Sequence, residues 1–157
     1  MDHPNLTRIR DFYAAFGRRD GAAMASLYAP DATFSDPAFP GLVKREVPSM
    51  WISLCERATD LKIELVEASA DDTSGKARWE AWYRFGPAKR PVHNVIDARF
   101  TFADGKVVAH EDTFDFWRWS RQALGLMGWL LGWSGFLRKK VQAQARKGLE
   151  IWMAKNP

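Results

Sequence analysis

Cysteine is almost missing from this chain. Cys55 is the only one in 157 residues, so no internal disulfide can form and the fold must be held by burial. A domain of this length manages that, burying roughly 70% of the surface its unfolded chain exposes. One thiol also fits a reducing compartment, and a cytoplasmic location is the expectation. The first residues, Met1 to Asn5, carry neither a basic region nor an apolar run, so no secretory leader is expected. There is no glycine-rich phosphate loop and no Gly-x-Ser-x-Gly elbow, which argues against nucleotide hydrolysis and serine-ester chemistry. His93, His110 and Asp112 fit no standard metal spacing, so no metal is expected. The longest apolar run, Ala123–Leu137, spans 15 residues and is interrupted by Gly125, Gly128, Gly132 and Gly135. It falls short of the roughly 20 residues a membrane span needs.

Acidic residues are scarce in one part of the chain only. Residues 118–157 hold eight Lys/Arg against one acid, Glu150, for a net +7, while residues 1–117 hold 15 against 18, for a net −3. The total of +4 therefore hides a basic tail on an acidic body. A uniformly basic nucleic-acid-binding domain has a different profile, and no nucleic acid partner is expected.

Hydrophobic periodicity supplies the elements. Ile9, Phe12, Tyr13 and Phe16 lie on one face of a helix. Asp20 reads as the N-cap of a short second helix with Met24, Leu27 and Tyr28 inward, and Pro30 ends it. Ala32–Asp36 alternates like a strand closed by Pro37, which puts Asp36 on the face of Phe34. A third helix is expected from Val43 to Arg57, with Met50, Trp51 and Leu54 inward. Four strands are expected near Leu61–Ser69, Lys76–Phe85, Val92–Phe102 and Lys106–Phe116. Gly75, Gly86-Pro87 and Asp104-Gly105 mark the turns, the last a strong hairpin signal. Helices followed by strands on short turns predict an α+β domain with an antiparallel meander.

The run Phe12-Tyr13-Ala14-Ala15-Phe16, then Asp20, then Leu27 to Pro37, resembles the start of ketosteroid isomerase and SnoaL-like proteins of the NTF2-like superfamily. Asp104-Gly105-Lys106-Val107-Val108 resembles their last hairpin. The likeness covers roughly residues 5–116. It implies an NTF2-like cone in residues 1–116, with a curved antiparallel sheet around the N-terminal helices and an apolar pocket. Residues 117–157 form a helical, Trp-rich extension outside it. A homodimer is a further expectation from the family. Asp36 matches the position of the family's general base, and Asp97 that of its protonated oxyanion-hole aspartate. The oxyanion-hole tyrosine is matched by Phe12, with Tyr13 one residue away, and a supporting tyrosine by Trp51.

The resemblance and the residues together define the candidate site. Asp36 facing an apolar pocket would have its pKa raised toward a useful range; the alternative is a turn aspartate. Asp97 would hold a developing oxyanion, or else pair with Arg78, Arg84 or Arg99 on the sheet surface. His110 and Asp112 share a strand face and would shuttle protons, or form a structural pair. The pocket wall is expected from Phe12, Tyr13, Phe16, Phe34, Trp51, Trp82, Val95 and Phe114, with core packing as the alternative for each aromatic. The function this implies is binding of a small apolar carbonyl compound, with cofactor-free isomerase or cyclase chemistry. The competing reading is a non-catalytic ligand-binding or dimerisation module. Three roles stand open for the tail: a lid packed on the domain, an oligomer contact, or a weak membrane-surface contact.

Overall fold

A computed structural model describes residues Met1–Pro157. Helix α1 (Pro4–Gly17) starts with proline at its first position, where no N–H is needed, and His3 accepts from the Asn5 amide. Its buried stripe is Ile9, Phe12, Tyr13, Ala15 and Phe16. Asp20 caps α2 (Gly21–Ala25), accepting from Ala23 N at 3.0 Å. Strand β1 (Tyr28–Ser35) follows, so Tyr28 opens a strand instead of closing a helix.

A two-residue strand β2 (Leu42–Val43) pairs with Phe34 and Thr33, and α3 (Glu46–Arg57) begins three residues later than the pattern predicts. The remaining strands are β3 (Lys62–Ala70), β4 (Ser74–Phe85), β5 (Arg90–Ala103) and β6 (Lys106–Thr113). Gly75 lies within β4, not in a turn. A Cβ there would meet Ile9 Cδ1 at 2.7 Å, so glycine lets α1 sit close to the sheet. Asp104 and Gly105 both have positive φ, 51° and 75°, as a two-residue type I′ turn requires.

The six strands form one curved sheet, ordered β2-β1-β6-β5-β4-β3. Strands β3 to β6 make the expected antiparallel meander. Strand β1 instead pairs parallel with β6, setting Phe34 beside His110 and Ser35 beside Glu111. The sheet wraps α1 and α3 as an NTF2-like α+β cone.

Inside the cone the aromatic side chains pack on one another. Phe12 stands edge-on to Trp51 (5.4 Å) and His110 (5.8 Å), and Phe34 to Trp51 (5.3 Å). Each such pair contributes about 0.5–1.5 kcal/mol beyond its burial. Phe12, Phe16, Phe34 and Trp51 are therefore core, and the apolar pocket wall expected of them is taken up by this packing.

The tail forms α4 (Phe116–Leu124), α5 (Leu126–Leu131) and α6 (Gly135–Lys155). Helix α4 packs on β5, where Phe116, Trp119 and Ala123 bury with Val92. Helix α6 lies along α3: Leu149 enters the main core, and Arg146 pairs with Glu46. No helix is long and apolar enough to cross a membrane.

Candidate active site

The parity of β5 decides which residues can reach the interior. Val92, Asn94, Ile96, Ala98, Phe100 and Phe102 are buried, while Asp97, Arg99 and Thr101 are exposed. Asp97 therefore lies on the outer face. Arg78 grips it with Nε–H and Nη2–H at 2.9 and 3.3 Å. The oxyanion role expected of Asp97 is thereby excluded, because both its oxygens bind an arginine on the wrong side of the sheet. Trp82 and Val95 share that outer face. Trp82 stacks on His93 at 4.7 Å under Lys62, and His93 contacts Glu80 at 2.6 Å, so neither Trp82 nor Val95 lines the cone. A recess of about 460 Å³ on the outer face is lined by Glu67, Arg78, Asp97 and Arg99; neither Asp36 nor Asp112 opens onto it.

The other candidates come together inside. The parallel register of β1 and β6 sets Phe34 beside His110 and Ser35 beside Glu111, and Asp36, just past β1, lies near enough to Asp112 to feel its charge. Asp36 follows β1 on the inward parity. Its Oδ1 accepts from Ala38 N (2.7 Å) and Phe39 N (2.6 Å), and no protein group donates to Oδ2. Burial pushes its pKa up to about 6, with help from the Asp112 charge and against the two N–H donors. Asp36 is thus both a turn aspartate and a carboxyl suited to proton transfer, one oxygen for each purpose. Helix α6 braces the same turn, where Gln142 donates to Pro37 O at 3.0 Å.

Asp112 is 3% exposed and anchors a buried chain. Trp51 Nε1–H donates to Tyr28 Oη at 2.9 Å. Since indole only donates, the Tyr28 hydroxyl is free to donate to His110 Nδ1, 2.7 Å away. A single His110 proton on Nε2 then reaches Asp112 Oδ1 at 2.8 Å. This tautomer, assigned from the bonding pattern, satisfies every group in the row. The chain leaves Asp112 Oδ2 without a protein donor.

Two further phenols complete the surroundings. Tyr13 Oη is buried without a hydrogen-bond partner, as is Trp79 Nε1, and their rings lie 5.5 Å apart. Burial, and then the Asp112 charge, hold the Tyr13 pKa well above its usual value, so the phenol keeps its proton. Tyr83 accepts from Trp119 Nε1 at 2.7 Å. Burial raises its pKa to about 12, and the Asp36 charge acts in the same direction. Phe114 is half-buried just beyond β6 and packs against both the core and Trp119. Ala77 and Ala98, cross-strand partners, lie next to Asp112, which itself pairs with Ala98.

Tyr28 and Tyr83 are absent from the sequence-based candidates. For Tyr28 the available signal is its even parity with Ala32, Phe34 and Asp36.

The arrangement holds two carboxylates, each with one free oxygen, beside neutral phenols. It can take a proton from a bound molecule, return it, and hydrogen-bond an oxygen on that molecule. The family model of the SnoaL-like domain matches residues 9–110. A LEH-like epoxide hydrolase from M. tuberculosis superposes with a TM-score of 0.66 at 16% identity, over 82% of this chain and 96% of that one. An NTF2-like protein of unknown function from Burkholderia pseudomallei K96243 gives 0.67 at 18%, over 76% and 97%. A protein of ketosteroid-isomerase-like fold from Catenulispora acidiphila DSM 44928, in complex with trimethylamine, gives 0.66 at 14%, over 77% and 95%. No curated protein sequence matches.

Proposed function

The chain belongs to the SnoaL-like domain family, and on that premise we propose that it binds a small, mostly apolar carbonyl compound between Asp36 and Asp112 and moves a proton on it. The observation that carries this reading is the proximity of two carboxyls, Asp36 and Asp112, whose charges act on each other and which each keep an oxygen without a protein donor. Asp36 takes a proton from the carbon next to the carbonyl. The electron pair of that C–H bond moves into the carbonyl, giving an enolate oxygen. Tyr13 and Tyr83, held neutral by burial, donate hydrogen bonds to that oxygen. The Asp36 carboxylic acid then returns the proton to carbon, at the same position or at one conjugated with it. Asp112 keeps the Asp36 pKa high enough for the return step, and His110, Tyr28 and Trp51 hold Asp112 in place. The step needs no cofactor.

A pKa near 6 suits a base working close to neutral pH. Among the structural neighbours, one is described as an epoxide hydrolase and another as ketosteroid-isomerase-like in fold. Both labels are compatible with carboxylates acting on a small molecule inside this cone. The test is proton exchange in D2O. Cyclic ketones and polyketide-like aromatic ketones are incubated with the protein, and loss of the α-proton signal is followed by NMR. Exchange above background is expected from the native chain and a loss of about 10²–10⁴-fold from Asp36→Asn. Exchange that survives in Asp36→Asn would refute the assignment of the base. Ligand line broadening without exchange would point to a binding module.

A further inference from the structure

The segment Phe116–Phe136 is built inside out. Helix α4 buries Phe116, Trp119, Ser120 and Ala123 against the domain. Helix α5 folds back on α4 through its glycines. A Cβ on Gly128 would lie 1.9 Å from the Ser120 carbonyl oxygen, and one on Gly132 would lie 2.0 Å from Ser120 Oγ. The closest contact of α5 with α4 is therefore made through glycine backbone, with Trp129 lying edge-on to Trp117 beside it. The bulky apolar residues of α5 and of the stretch just after it stay largely exposed. Leu126, Met127, Trp129, Leu130, Trp133 and Phe136 are 52–74% exposed. A surface helix of a globular protein has the reverse arrangement, and a contiguous apolar patch of this kind marks an interaction site.

The rim of the patch is cationic. Arg121 sits over the rings of both Trp117 and Trp129, at 4.3 and 4.9 Å. Arg138 covers Phe116 at 5.0 Å, and Lys139 and Lys140 follow it, exposed. No acidic residue occurs from Arg118 to Leu149. Two of the exposed indoles have their N–H groups satisfied internally: Trp133 donates to Leu130 O at 2.8 Å and Trp117 to Trp129 O at 3.4 Å. These rings can enter an apolar layer without an unpaired donor.

We propose that this surface docks on an anionic lipid bilayer, with α5 lying in the plane of the interface and the Arg/Lys rim on the headgroups. Charge complementarity selects this occupant. A second copy of the chain, meeting the patch by a two-fold axis, would set one cationic rim against another. Helix α5 has six residues, and no helix is suited to crossing, so the contact is superficial.

The test uses the full-length protein with vesicles of phosphatidylcholine alone and of phosphatidylcholine mixed with phosphatidylglycerol, read by co-sedimentation and tryptophan emission. Binding to the mixed vesicles, with a blue shift, is expected; it should weaken with salt and be slight on phosphatidylcholine alone. The triple variant Arg138→Glu, Lys139→Glu, Lys140→Glu should lower partitioning on the order of a hundredfold. The variant Trp129→Ser, Trp133→Ser, Phe136→Ser alters exposed positions only, should keep its circular dichroism, and should lose the blue shift. Absence of binding to mixed vesicles would overturn the proposal, as would equal binding by the serine variant. A dimer of the native chain that the serine variant loses in light scattering would assign the patch to a second copy and overturn it too.

Discussion

Replacing Asp36 by asparagine should stabilise the protein at neutral pH while stopping proton transfer. In the folded chain burial, with the Asp112 charge, lifts the Asp36 pKa to about 6; in the unfolded chain it returns to about 3.9. Between those values the folded state binds more protons than the unfolded one, so stability falls as pH rises. Across the full window the loss is about 3 kcal/mol, at 1.36 kcal/mol per pKa unit. Asparagine does not ionise, and its side-chain oxygen can still accept from Ala38 and Phe39. The variant should match the native chain near pH 4 and exceed it progressively up to about pH 7. At 2–4 °C per kcal/mol, the gap in melting temperature should reach about 6–12 °C. Thermal melts of both proteins by circular dichroism, from acid to neutral pH, measure this directly. Parallel curves would refute the argument, because they would mean that Asp36 ionises as freely folded as unfolded.

Asp112→Asn removes the like charge beside Asp36, so the window in which stability falls should move to lower pH; an unmoved window would mean that burial alone sets the Asp36 pKa. Tyr28→Phe strands Trp51 Nε1 and His110 Nδ1 in the core and should lower stability by about 2–6 kcal/mol in urea titration, from two unpaired groups at about 1–3 kcal/mol each. Asp97→Asn breaks only an exposed ion pair, so both stability, within about 1 kcal/mol, and the exchange reaction should be unchanged. Gly132→Ala drives a methyl into Ser120 and should detach α5 from α4, visible as faster proteolysis within residues 124–135.

The fold was readable because its signals are local. The stripe Ile9, Phe12, Tyr13, Phe16 and the Asp104-Gly105 turn each fix an element without help from the rest of the chain. The site was only partly readable, because parity along a strand is local whereas the choice of inner face is not. The spacing of His110 and Asp112 alone puts them on one face, and both are buried. Family likeness points Asp97 inward, whereas Val92, Ile96, Ala98, Phe100 and Phe102 mark the opposite parity as the core face. The polar companions of Asp97, namely His93, Arg99 and Thr101, carried the same message. Tyr28 escaped because the short helix before Pro30 extrapolates one turn too far. The parallel pairing of β1 with β6 has no sequence signature, and it alone brings Asp36 to Asp112. The fate of the tail turned on Gly128 and Gly132, whose close approach to Ser120 is a tertiary fact.

That parallel pairing also has a consequence for how the protein acquires its site over time. Strand β1 leaves the ribosome before the meander, and its partner β6 is the meander's last strand. The turn at Asp36 must wait, with β1 unpaired along one edge, until the whole meander has been synthesised. Contacts of such long sequence separation close slowly, because loop entropy is lost before they form. The two carboxylates therefore meet in one late event. A chain stalled before Thr113 lacks this pairing, and a mutation that slows the final hairpin would delay the meeting of the two carboxyls even where it left the finished protein as stable as before.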